Sequence, residues 1–210
     1  MKKRILGSIK RKGLVISLAC SLAIAAAFGA GAGSVSAGKV TAASVKAKNA
    51  KAHKAYKKKM SSIAKASMDC SYKYVDITGD GIHEALVSAN VGRDFYIFTY
   101  KGGKAKKILT GGDYGLSKIT IYKGSKGIIT YGGGHGGETY SYYKKKGSSY
   151  KKVASRSRQS VNGGGMSNGP WYYYNGKSGS INKAAFNKNI KGISKGKKST
   201  INTINWKMVR

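Results

Sequence analysis

The sequence predicts an α+β domain: predominantly an antiparallel β meander, as a sheet or partly closed barrel, with an N-terminal helix and a short C-terminal helix. Three observations carry this expectation. Ala52, Tyr56, Met60 and Ile63 recur at intervals of four, four and three, the spacing of one helix face. Between Tyr72 and Ala154 the pattern changes to short β-favouring runs separated by glycine and lysine turns. The 15 tyrosines all lie beyond residue 55, and their apolar bodies and polar tips suit half-buried sheet faces.

The chain opens with Lys2, Lys3, Arg4, Lys10, Arg11 and Lys12, continues with an apolar run from Leu14 to Phe28, and reaches small residues ending Val35-Ser36-Ala37. That order of basic head, apolar centre and small-residue cleavage site reads as a signal peptide over residues 1–37 and predicts a secreted or wall-associated protein. The apolar run is shorter than the roughly 20 residues a bilayer core needs. Cys20 sits in its middle, whereas a lipidated cysteine closes such a run. Residues 38–50 are mostly Ala, Lys, Ser and Gly with little to bury and read as a flexible basic leader; residues 51–210 read as one domain.

The helix from about residue 50 to Ala66 carries its lysines opposite the apolar face, so it is suited either to packing on a sheet or to lying on an anionic surface. The strand runs follow at Tyr72–Ile77, Glu84–Ala89, Phe95–Tyr100, Lys106–Thr110, Lys118–Tyr122, Gly127–Tyr131, Thr139–Lys144 and Tyr150–Ala154. Residues 155–170 read as a loop and Trp171–Tyr174 as a strand, with Asn175-Gly176 as a tight turn. Ser180 is the expected cap of a helix over Ile181–Ile190. Trp171 and Phe186 are expected to complete the core, and Thr200–Met208 to add a last strand.

Removing residues 1–37 takes six of the 40 lysines and arginines and none of the seven acids, leaving 34 basic residues against seven, a net +27 on 173 residues. Such a field attracts polyanions by steering and counterion release. Outside a cell these are teichoic acid, acidic glycan or an anionic membrane surface; export argues against nucleic acid as a native partner. The alternative is that the lysines are solvated and keep the protein soluble. Cys70 alone survives cleavage, so no internal disulfide forms, and Cys70 reads as a small buried residue.

Three of the seven acids fall within Asp76-Ile77-Thr78-Gly79-Asp80-Gly81-Ile82-His83-Glu84. Oxygen ligands at positions 1, 3 and 5, a backbone carbonyl at 7 and a carboxylate at 9 suit a hard cation, and glycine at 6 allows the sharp turn. Asp76, Thr78, Asp80, the Ile82 carbonyl and Glu84 fill those places, so Ca2+ is the expected ion. An EF-hand needs a glutamate at position 12, where Val87 stands. The stretch resembles instead the calcium loops of FG-GAP and VCBS-type extracellular repeats, with threonine at the third position and a single copy of the loop. The alternative is a plain Asp-Gly hairpin turn. The wider layout, from a lysine-rich helix through this loop to Gly132-Gly133-Gly134-His135-Gly136-Gly137 before Tyr140, looks like secreted proteins of unassigned function from clostridial, gut-type Firmicutes; that resemblance implies fold and location but no activity.

His135 and Glu138 in the glycine-rich segment are the residues around which a hydrolase reading would be built, against a glycine-rich strand crossover. No complete catalytic signature is present. The favoured expectation is a non-enzymatic calcium-stabilised domain whose basic surface associates with anionic wall or host polymers, with a secreted hydrolase or a cationic membrane-active factor as alternatives.

Overall fold

In the computed structural model of the protein, residues 41–123, 127–134, 136–159, 171–174 and 181–210 are described. The expected signal peptide, the Asn175-Gly176 turn and the Ser180 cap lie outside them. Helix α1 (Ala42–Lys65) begins inside the segment the sequence assigns to a leader. Its early start has a local cause. Thr41 caps it, accepting from the Ser44 amide at 3.2 Å, and the Ala- and Lys-rich first turns have high helix propensity. Ala52, Tyr56 and Met60 are fully buried, as their spacing predicts.

Four strands follow as a meander: β1 (Cys70–Val75), β2 (Glu84–Ala89), β3 (Asp94–Lys101) and β4 (Lys104–Gly111). Gly102 and Gly103, with φ of +62° and +74°, form the two-residue β3–β4 turn, where both central residues need left-handed backbone. A second meander contains β5 (Leu116–Lys123), β6 (Gly127–Gly134), β7 (Gly137–Lys146), β8 (Ser149–Gln159) and β9 (Trp171–Tyr174). After helix α2 (Lys183–Ile190) the chain supplies β10 (Lys197–Asn202) and β11 (Lys207–Met208). The sheet orders are β11-β1-β2-β3-β4 and β10-β5-β6-β7-β8-β9, antiparallel throughout and open at both edges.

The expected antiparallel meander is present and is divided between two stacked sheets. Leu86, Ile97 and Leu109 of the first meet Ile119, Ile121, Ile128 and Tyr143 of the second in the central core. The crossover is the β4–β5 connection. Gly112 packs so closely on the Arg93 carbonyl, and Gly115 on the Gly133 carbonyl, that a Cβ would stand 1.9 and 2.2 Å from those oxygens. The expected last strand also divides between the sheets, with Trp206 buried at the crossing and its indole Nε1 donating to the Asn202 carbonyl at 2.9 Å.

Each sheet carries one helix on its outer face. Helix α1 packs Ala52, Tyr56 and Met60 against Cys70, Ala85, Val87, Ala89 and Phe98, so its apolar stripe is used inside the domain. Helix α2, capped by Asn182, packs Phe186 edge-on against Tyr142 at 5.2 Å. Cys70 is free and buried, and burial pushes its thiol up to about 11, as expected of an unreactive core residue. Among the described residues no helix is long and apolar enough to cross a membrane.

Candidate functional site

The Asp76–Glu84 stretch joins β1 to β2, with Val75 paired to Glu84 where the ladder ends. Asp76 organises the turn: its two carboxylate oxygens accept from the Gly79 and Gly81 amides at 2.6 and 3.1 Å, and Asp80 accepts from the Ile82 amide at 2.9 Å. Gly79 and Gly81, both near φ +80°, occupy the left-handed region the turn requires. Thr78 is exposed. Glu84 lies beneath, 1% exposed, accepting from the Ile77 amide at 2.9 Å and the Thr99 hydroxyl at 3.0 Å. Burial raises its carboxyl above the ordinary range; the two hydrogen bonds oppose that shift, and Asp80 and Asp76 add to it.

The expected calcium ligands therefore divide into exposed Thr78 and Asp80, half-buried Asp76 and Ile82, and a buried Glu84 engaged in holding the loop to β3. Among the described residues, no three histidine, cysteine or acidic side chains converge as a group that could hold a metal ion.

Helix α1 clamps this loop through contacts that sequence reasoning did not foresee. Asn49 donates to the Gly81 carbonyl at 2.9 Å and accepts from the His83 amide at 2.8 Å. Tyr56 donates to the His83 carbonyl at 2.8 Å. His53 lies flat on Tyr74, ring centroids 3.8 Å apart, and its Nε2 faces His83 Nδ1 at 3.2 Å. Burial, then the neighbouring His83 and Lys57, lower the pKa of His53. The available signal was the periodicity itself: Asn49, His53, Tyr56 and Met60 share one helical stripe.

Asp113, in the β4–β5 crossover, accepts from Thr130 at 2.8 Å and Ser141 at 2.9 Å, with Lys152 3.9 Å away. Burial raises its carboxyl, against the pull of Lys152 and the two hydroxyls. Because the folded state holds its proton up to a higher pH than the unfolded chain, this group adds stability as pH falls through its folded pKa toward 3.8 and loses it as pH rises. Asp113→Asn removes that dependence. In urea titrations, the stability of the unmodified chain relative to Asp113→Asn is therefore expected to be greater near pH 4 than at pH 7. A constant or reversed difference would contradict the assignment.

The acids elsewhere also serve loops: Asp69 accepts from the Val91 amide and Asp94 from the Asn90 side chain. Six of the seven acids thus hold turns or the core, which leaves the surface to lysine. The contact of Lys152 with Asp113 is the one carboxylate–ammonium pair within 4 Å among the described residues.

Five of the lysines line a groove between α1 and the β3–β4 hairpin, about 630 Å³ in volume. Lys51, Lys54, Lys58 and Lys59 line it from the helix; Lys104, Ala105, Gly103 and Tyr100 line it from the hairpin. A smaller cavity of about 340 Å³ carries it on past Tyr96, Phe98 and Lys107. No acid lines either part. A bulge between Ile97 and Phe98 contributes: it lets Ile108 and Leu109 both enter the central core and places Lys107 opposite Phe98 on the α1 side. Of the hydrolase pair, His135 lies outside the described residues, and Glu138 stands in β7 opposite Gly133 and Arg158.

Comparison of the chain with protein-family models, with curated proteins and with solved structures finds no match.

Proposed function

We propose that the protein is a non-enzymatic polyanion-binding domain that acts outside the cell and takes its ligand in the groove between α1 and the β3–β4 hairpin. One observation carries this reading: five exposed lysines, Lys51, Lys54, Lys58, Lys59 and Lys104, face one concave surface that no acid lines. Unpaired lysines in a concave wall focus potential and concentrate anions, and each phosphate or carboxylate they neutralise releases a counterion. Teichoic acid and acidic glycan are the extracellular polymers of that chemistry. The apolar face of α1 is buried on the first sheet, which favours a polymer in the groove over insertion of this helix into a membrane. Equilibrium binding to inorganic polyphosphate across a salt series, for the chain and for Lys54→Gln/Lys58→Gln, tests the reading.

We also propose Ca2+ at the Asp76–Glu84 loop, held by Asp76, Thr78, Asp80, the Ile82 carbonyl and Glu84 and acting as a clamp. The supporting observation is electrostatic: no lysine or arginine lies within 4 Å of Asp76, Asp80 or Glu84 among the described residues, although the chain carries a net +33. Each oxygen of Asp76 keeps a second lone pair beyond its amide contact. Millimolar calcium, but not magnesium, is expected to raise the thermal midpoint relative to EDTA, and Asp80→Ala to abolish the response. An unchanged midpoint would reduce the loop to a turn.

A further inference from the structure

We infer that the polymer held in the groove is an acidic glycan, in which each charged unit carries a sugar ring, and that Tyr100 is the platform on which one ring stacks. This rests on the polyanion reading and adds a ligand class to it. Tyr96, Phe98 and Tyr100 alternate along β3 on the face turned to α1; Phe98 is 5% exposed, while Tyr96 and Tyr100 stay half-buried at the floor of the groove. The two tyrosines differ in what covers them. Lys107 Nζ lies over the Tyr96 ring at 5.4 Å, so that face is taken by the protein's own cation. Tyr100 is paired across the ladder with Ala105 and lies beside Gly103, small residues that leave the groove wide next to its ring.

A half-buried tyrosine at the floor of a lysine-walled groove offers an apolar face with a polar edge, which suits a sugar ring. A bare phosphate chain has no surface to lay on it. The wall above has a matching period: Lys51, Lys54 and Lys58 recur about once per helical turn, ~5.4 Å along the axis, about the length of one pyranose unit, so that a carboxylate on each sugar meets one lysine. Single-stranded nucleic acid also combines rings and charge, but its binding sites stack successive bases on several aromatics, and Tyr100 is the one aromatic among the residues that line the wider part of this groove.

The test measures binding of the full chain to four probes: polygalacturonate, inorganic polyphosphate, neutral dextran and oligothymidylate. Tyr100→Leu keeps apolar packing but removes the flat face, and Tyr100→Phe keeps the face. Polygalacturonate is expected to bind most tightly, to weaken about tenfold in Tyr100→Leu, the order of one lost ring stack, and to be unchanged in Tyr100→Phe. Polyphosphate is expected to change less than twofold in either variant, and dextran to bind neither. Equal effects of Tyr100→Leu on polygalacturonate and polyphosphate, no effect on either, or tighter binding of oligothymidylate would overturn the inference. Failure of the underlying reading has a different signature: neither polyanion then responds to Lys54→Gln/Lys58→Gln.

Discussion

Tyr56→Ala is expected to lower the unfolding free energy by about 3–5 kcal/mol, the range for removing a large buried ring. Tyr56 is fully buried, lies at the centre of the contact between α1 and the first sheet, and donates to the His83 carbonyl at 2.8 Å. Its loss therefore opens a cavity under the helix and removes a tie between helix and acidic loop. For a domain of this size each kcal/mol moves the thermal midpoint by about 2–4 °C, so the midpoint is expected to fall by roughly 10 °C. Tyr56→Phe separates the two contributions: it keeps the packing and leaves one part-buried carbonyl unpaired, at a cost of about 1 kcal/mol. Equal losses in the two variants, measured by urea titration, would show that the ring does not anchor α1.

Lys54→Gln/Lys58→Gln is expected to weaken polyphosphate binding roughly thirtyfold at low salt, ~1 kcal/mol for each lysine close to an anionic surface. The dependence of log K on log salt is expected to flatten by roughly 0.7–0.9 for each lysine removed. Folding stability is expected to stay within about 0.5 kcal/mol, since both side chains are exposed and form no ion pair among the described residues. The control is Lys145→Gln/Lys146→Gln, two exposed lysines on β7 with the same formal charge change. An equal loss in the control would mean that net charge, and not the groove, governs binding.

The residues at issue in these variants differ in how far the sequence revealed them. The stripe Ala52, Tyr56, Met60 is a local pattern, readable because helix periodicity depends only on neighbours in sequence. The hairpins were readable for the same reason: Gly102-Gly103 dictates a turn wherever the strands end up. The division into two sheets was not, because Gly111-Gly112-Asp113-Tyr114-Gly115 has the composition of one more hairpin turn; only its contacts with the Arg93 and Gly133 carbonyls, both remote in sequence, make it a crossover. The bulge at Ile97/Phe98 was hidden likewise, since it depends on register. The docking of α1 on the acidic loop was hidden as well, since Asn49 finds its partners Gly81 and His83 over 30 residues away.

The candidate sites divide along the same line. Asp76, Asp80 and Glu84 were visible as an acidic cluster in a basic chain, but the burial of Glu84 against Thr99 was not. The groove was invisible because its lysines come from a helix and a hairpin some 50 residues apart, and each lysine alone reads as a solvated surface charge. His53 and His83 meet only because the helix docks over the loop.

The most direct measurement is amide chemical-shift mapping of the ¹⁵N-labelled chain during titration with inorganic polyphosphate. The account predicts the largest changes at Lys51–Lys59 of α1 and Lys101–Lys107 of the β3–β4 hairpin, with little change along β5–β8. Changes spread evenly over the lysines of both sheets, or centred on the second sheet, would contradict it.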